Sequence, residues 1–134
     1  MGTKWMKNIL IRPEQIDDYP IIKDQTRRAF APMPFADEND QEITDGLRNA
    51  GALTLSLVAT LKNKVVGHVA VSSVTHESGA ANWFGIGPIS VAPDLQRQGI
   101  GKLLMRQALE TMKAKGAAGM VLVGDTNYYP KFGF

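Results

Sequence analysis

From Trp83 to Val123 the chain reads as strand, loop, amphipathic helix and strand, and this unit constrains the fold more than any other feature. Over Gly99 to Lys115, Ile100, Leu103, Leu104, Ala108 and Met112 fall on one helical face, while Lys102, Arg106, Glu110 and Lys113 lie largely opposite. Gly116 is the expected C-terminal stop. Met120-Val121-Leu122-Val123 is a continuous apolar run, the pattern of a strand buried on both faces. A strand, a helix and a second strand in one sheet require a right-handed crossover and a parallel pair.

The segments before this unit have a different rhythm. Lys7 to Arg12 reads as a first strand, stopped by Pro13. Between Glu14 and Phe30 the residues Ile16, Tyr19, Ile22, Thr26 and Phe30 follow helical spacing. Pro20 falls inside, so the helix either starts there or kinks. Residues 31–36 are turn-rich, and Asp40 to Asn49 predicts a short second helix ending near Gly51. A meander follows: a strand over Leu53–Thr60, a turn at Lys62-Asn63-Lys64, a strand over Val65–Thr75, a loop at Glu77-Ser78-Gly79, and a third strand over Trp83–Ala92. The predicted architecture is α/β (α+β): a mixed central sheet, antiparallel in the N-terminal meander, joined to the parallel β-α-β unit and flanked by helices. Residues 1–134 fit one domain. The third strand contains Gly85, Gly87 and Pro88, and a proline inside a strand requires a bulge or an unpaired edge. Two readings follow, an irregular edge strand or a strand that opens to offer backbone groups to a ligand.

Composition narrows the function. A net charge of +2 with no dense Lys/Arg run argues against nucleic acid or an acidic membrane surface as partner. There is no cysteine, which excludes disulfides, thiolate metal sites and a Cys nucleophile. His68 and His76 alone do not make a zinc site, and no metal is expected. Near the N-terminus Ile9-Leu10-Ile11 runs straight into Arg12 and Pro13, so no secretory core or membrane span is read, and a cytoplasmic enzyme is the expectation.

The loop between the third strand and the long helix carries the chemistry. Gln96-Arg97-Gln98-Gly99-Ile100-Gly101-Lys102 places two glycines at the mouth of a helix, where free backbone N–H groups and the positive end of the dipole favour an anion. Arg97, Lys102 and Arg106 crowd that positive end, and no carboxylate follows Asp94 until Glu110, a locally unfavourable arrangement unless an anion binds. Leu103 after Lys102 breaks the P-loop pattern, and Lys102-Leu103-Leu104 breaks the dinucleotide pattern G-x-G-x-x-G. What remains is Q-x-x-G-x-G after Val91-Ala92-Pro93, followed by a long helix, a buried strand and Tyr129-Pro130-Lys131-Phe132-Gly133-Phe134. In this order the chain, from about Ile9 to Phe134, resembles the GNAT superfamily of acetyl-coenzyme-A-dependent N-acetyltransferases.

The resemblance implies that Gln96, Arg97, Gln98, Gly99, Ile100, Gly101 and Lys102 cradle the coenzyme pyrophosphate. It further implies that backbone groups of Ile89, Ser90 and Val91 hold the pantetheine and the acetyl carbonyl, with the Val91 N–H as the polarising group. Tyr129 inherits the role of proton donor to the coenzyme sulfur, with Tyr128 as the adjacent alternative, and Asn127 is a further coenzyme contact. For the base that deprotonates the amine, Glu77 is the candidate, beside His76, Asp125 and a water chain along backbone carbonyls. The acidic stretch Asp37 to Glu42 reads either as a rim favouring a cationic amine or as a helix N-terminus. The implied reaction is acetyl transfer from acetyl-CoA to a primary amine of a small molecule or peptide by direct attack in a ternary complex. A CoA-binding or partner-binding module of the same fold is the alternative. Family members usually continue past Gly-Phe with one or two strands, so a homodimer whose interface includes the Tyr128–Phe134 tail is expected to cover the sheet edge.

Overall fold

A computed structural model describes residues 8–30, 42–74, 79 and 81–122. They form a five-stranded sheet in sequence order, with strands β1 (Ile9–Pro13), β2 (Leu53–Leu61), β3 (Lys64–Ser73), β4 (Trp83–Val91) and β5 (Gly119–Leu122). The first four strands pair antiparallel, and β4 pairs parallel with β5, Trp83 opposite Gly119 and Ile86 opposite Leu122. Helix α1 (Tyr19–Phe30) follows a short 3-10 turn at Ile16–Asp18, α2 (Ile43–Asn49) precedes the meander, and α3 (Ile100–Ala114) makes the crossover to β5. The mixed sheet, meander and parallel unit agree with the sequence reading.

Local chemistry explains most of the boundaries. Pro20 sits in the first turn of α1, where its missing N–H has no intrahelical partner to lose, so the helix begins there without a kink. The β2–β3 hairpin closes through Lys62 and Asn63, both at positive φ (50° and 65°), the backbone that matches the twist of the paired strands. α1 packs on one sheet face, across β3 and β4, and α3 on the other, across β2, β3 and β4. Gly67 lies beneath α3, where an added Cβ would stand 2.8 Å from Leu104 Cδ1 and 3.0 Å from Ile100 Cγ2.

Of the bulge or unpaired edge expected at Pro88, the bulge is present, in the strand between β3 and β5. Val69 and Val71 of β3 pair with Ile89 and Ile86 of β4, so β4 spends one residue more than its partner across Gly87–Pro88, a cis peptide. Side chains alternate along a strand, so Ile86 and Ile89, three apart, would point to opposite faces without it. With it, both join the core, at 1% and 0% exposure.

Two expectations are corrected. Ile16 is not on the packed face of the first helix: it lies in the 3-10 turn before α1 and is 77% exposed. The run Met120–Val123 is not buried on both faces, because Val121 is 41% exposed. α3 covers β2, β3 and β4, leaving β5 at the margin of both helical layers. Val123 and the tail from Tyr128 to Phe134, with the dimer contact assigned to it, lie outside the described residues. Among the described residues no helix is long and apolar enough to cross a membrane.

Candidate active site

The loop from β4 to α3 is built to leave its amides available. β4 ends at Val91, and the Ala92 N–H is secured to the Val66 carbonyl at 2.9 Å. A 3-10 turn at Pro93–Leu95 follows, then Gln96 in extended conformation, whose side-chain amide donates to the Val91 carbonyl at 3.1 Å. Gln96 thereby ties the loop back to the strand end. Arg97 and Gly99 both have left-handed backbone, φ 64° and 101°. For glycine this costs little, whereas an arginine held there costs roughly 1 kcal/mol or more. Turns of this kind aim backbone N–H groups into anion-binding concavities.

Gly99 is the N-cap of α3. Its carbonyl accepts the first helical bond, from Leu103 N–H at 3.1 Å, and among the described residues no side chain caps the first-turn amides. The first turn holds no acidic residue. Ile100 and Gly101 are buried, Gln96 and Gly99 half-buried, and Arg97, Gln98 and Lys102 exposed. Among the described residues Arg97, Lys102 and Arg106 make no ion pair, although seven others are formed. At the start of this 15-residue helix the amides are uncapped at the positive end of the dipole, and the cations that make no ion pair among the described residues stand in the preceding loop (Arg97) and the first two turns (Lys102, Arg106). These groups suit a diphosphate.

Beside this loop, the described part of the parallel ladder runs to Ile86 opposite Leu122. It joins Trp83–Ile86 to Gly119–Leu122, and from Gly87 to Val91 the described residues give β4 one neighbouring strand, β3. Ile89, Ser90 and Val91, the residues expected to line the coenzyme arm, lie in this segment and lead directly into the loop. The structure therefore brings together all ten candidates between Ile89 and Lys102. The remaining ones, Glu77, Asn127 and Tyr129, together with His76, Asp125 and Tyr128, are outside the described residues. Of the acidic stretch only Glu42 is described, and it precedes α2 and pairs with Lys23 at 3.0 Å.

Beneath α1, the same region of the sheet holds a buried polar seam that the sequence reading did not identify. Arg48 holds Glu14 through two bonds (2.6 and 3.0 Å) and Asp45 through a third (2.6 Å), with its guanidinium 3.7 Å from the Tyr19 ring centre. Ser56 Oγ donates to Glu14 Oε1 at 2.6 Å and lies 2.8 Å from His68 Nε2. Burial alone would raise the Glu14 pKa, but the hydrogen bonds from Arg48 and Ser56 outweigh it and the carboxyl titrates below its ordinary range. His68 is completely buried, which pushes its pKa down to about 4 against the opposing pull of Glu14. Gln25 Nε2 donates to Ser90 Oγ at 3.1 Å, reaching across from α1 to β4. The available signal was a Ser and a His at positions where strands otherwise place valine, but cross-strand register is needed to join them.

Free amides and unpaired cations at a helix start that follows a sheet strand are features of the class of proteins that bind phosphate groups. The comparisons give that class its family. The Acetyltransferase (GNAT) family model matches residues 16–134, and the chain belongs to this family. It is 36% identical over 129 residues to the uncharacterized N-acetyltransferase YhbS of Escherichia coli K12, covering 94% of this chain and 73% of that protein. A GNAT acetyltransferase from Brucella melitensis, solved with acetyl-CoA, superposes with TM-score 0.85 at 44% identity, over 94% of this chain and 82% of that one. E. coli YhbS solved with CoA gives TM-score 0.81 at 34% identity, over 95% and 68%. The protein is an N-acetyltransferase with acetyl-CoA as its donor.

Proposed function

We propose that this enzyme transfers the acetyl group of acetyl-CoA to a primary amine of a small molecule or peptide, by direct attack in a ternary complex. The observation that carries the coenzyme site is the start of α3, with uncapped amides, no acidic residue in its first turn and, near it, Arg97, Lys102 and Arg106 without an ion pair among the described residues. In this reading the amides of Arg97 to Lys102 take the pyrophosphate. The backbone of Ile89, Ser90 and Val91 aligns the pantetheine arm along the end of β4, and the Val91 N–H polarises the acetyl carbonyl. The coenzyme supplies an activated thioester. The amine nitrogen forms a bond to the carbonyl carbon as the carbon–sulfur bond breaks, so one proton must leave the amine and one must reach the sulfur. Tyr129 is proposed as the donor to sulfur and Asn127 as a coenzyme contact, with Glu77 proposed as the base.

The test is calorimetric titration with acetyl-CoA, followed by a screen of amines for thiol release. Gly101→Asp sets a carboxylate against the diphosphate and is expected to weaken coenzyme binding at least tenfold, about 1.4 kcal/mol. A melting curve of the variant separates lost binding from lost folding. Unchanged affinity in the folded variant would place the coenzyme elsewhere.

A further inference from the structure

Ser90 connects the coenzyme segment of β4 to the polar seam. Its backbone lies in the stretch with one described neighbouring strand, whereas its side chain points under α1, fully buried. The Gln25 amide on Ser90 Oγ ties this segment of β4 to α1. Thr26 Oγ1, which donates to the Ile22 carbonyl at 2.9 Å, stands 3.5 Å from the same oxygen. His68 is the cross-strand partner of Ser90, so the two side chains share this face with Cβ atoms about 5 Å apart.

Counting hydrogens shows what the seam still requires. Glu14 is ionised and only accepts, so the one hydroxyl hydrogen of Ser56 goes to it. Ser56 must then accept from His68, which makes His68 the Nε2–H tautomer and leaves Nδ1 a bare acceptor. Gln25 uses its NH2 on Ser90, leaving Oε1 as a second acceptor. Both atoms are buried and have no hydrogen-bond partner among the described residues. Two acceptors do not satisfy each other, and leaving each unmade is costly. A water molecule has the two O–H donors they need.

We propose that Gln25, His68 and Ser90 enclose one internal water, donating to Gln25 Oε1 and His68 Nδ1, and that this hydrated seam is a positioning device that sets β4 against α1 for coenzyme binding. The positioning role rests on the coenzyme reading given above. The water rests on the two buried acceptors alone. Gln25 and His68 touch no reacting atom in this scheme; they act through the placement of Ser90 and its backbone.

Three measurements test it. Nitrogen-15 NMR of the full chain is expected to show His68 neutral, with Nε2 protonated and Nδ1 hydrogen-bonded as an acceptor. A crystal structure is expected to show one ordered water within hydrogen-bond distance of both His68 Nδ1 and Gln25 Oε1. The Nδ1–H tautomer, or a direct Gln25–His68 bond after an amide flip, would overturn the water. Gln25→Met, close in volume but without the amide, is expected to raise the Kd for CoA about tenfold at a temperature where circular dichroism shows it folded; Ser90→Ala is the second variant should the first not fold. A purely structural role would lower the melting temperature and leave Kd unmoved, and that result would overturn the positioning role. If wild type binds CoA, Gly101→Asp does not and Gln25→Met binds normally, the positioning role alone fails. If wild type does not bind CoA, the coenzyme reading and the positioning role fall together, and the water is judged by NMR and diffraction.

Discussion

His68 couples protonation to folding through its burial, which lowers the folded-state pKa from an ordinary 6.5 to about 4. A base with a depressed folded pKa takes up its proton more readily when unfolded. Its contribution to stability is therefore complete above pH 6.5 and is lost as pH falls toward 4, at about 1.4 kcal/mol per pH unit. Glu14 and Asp18, also depressed, act in the same direction but only near and below their ordinary values of 4.5 and 3.8. Urea unfolding between pH 6.5 and 5 should isolate the histidine, and His68→Phe should flatten the slope there; an equally steep slope in the variant would assign it to other groups. Tyr129 calls for a kinetic test at the same scale. Tyr129→Phe removes one hydroxyl and is expected to lower kcat by up to about a hundredfold while leaving coenzyme affinity nearly unchanged. Unaltered turnover, with the defect appearing in Tyr128→Phe instead, would move the role back by one residue.

The decisive joint at the level of elements is the seating of α3 on the sheet. Ile100 and Leu104, from the first turns of that helix, rest on Gly67, and Ala92 beside the β4–α3 loop bonds to Val66. The sheet surface under the helix thus sets where the Gln96–Lys102 loop stands. Gly67→Val puts branched carbons where one Cβ already meets Leu104 and Ile100 side chains, and such overpacking costs about 1–3 kcal/mol. Chemical denaturation should register that loss, and weaker coenzyme binding should accompany it because the start of α3 is lifted. Periodicity located this helix to within one residue at each end, since the apolar stripe has the 3.6-residue period of a long element. The same reasoning misplaced Ile16, because a single apolar residue before Tyr19 cannot report that the chain is still in a 3-10 turn.

For the molecule as a whole, a ligand that binds only the folded state stabilises it by mass action. Acetyl-CoA at about a hundred times its Kd should add about 2.7 kcal/mol and raise the melting temperature by several degrees. Gly101→Asp should show little of this shift at the same concentration. A wild-type melting curve indifferent to acetyl-CoA would count against the coenzyme site as drawn.

The amino-acid sequence alone determined the features that are local or periodic: the β-α-β unit, a bulge or open edge at Pro88, a helix that starts or kinks at Pro20, and the glycine-bearing loop from Gln96 to Lys102 at the mouth of α3. Each depends on backbone chemistry within a few residues, on a repeat of 2 or 3.6, or on a short motif. Tertiary structure alone decided that Ile86 and Ile89 share a face, that β5 lies at the margin of both helical layers, and that Glu14, Ser56, His68, Ser90 and Gln25 meet. Glu14 and Ser56 are 42 residues apart in the chain, and Gln25 and Ser90 are 65 apart. Such contacts are set by strand register and by which helix covers which face, and neither leaves a mark in the residues one by one.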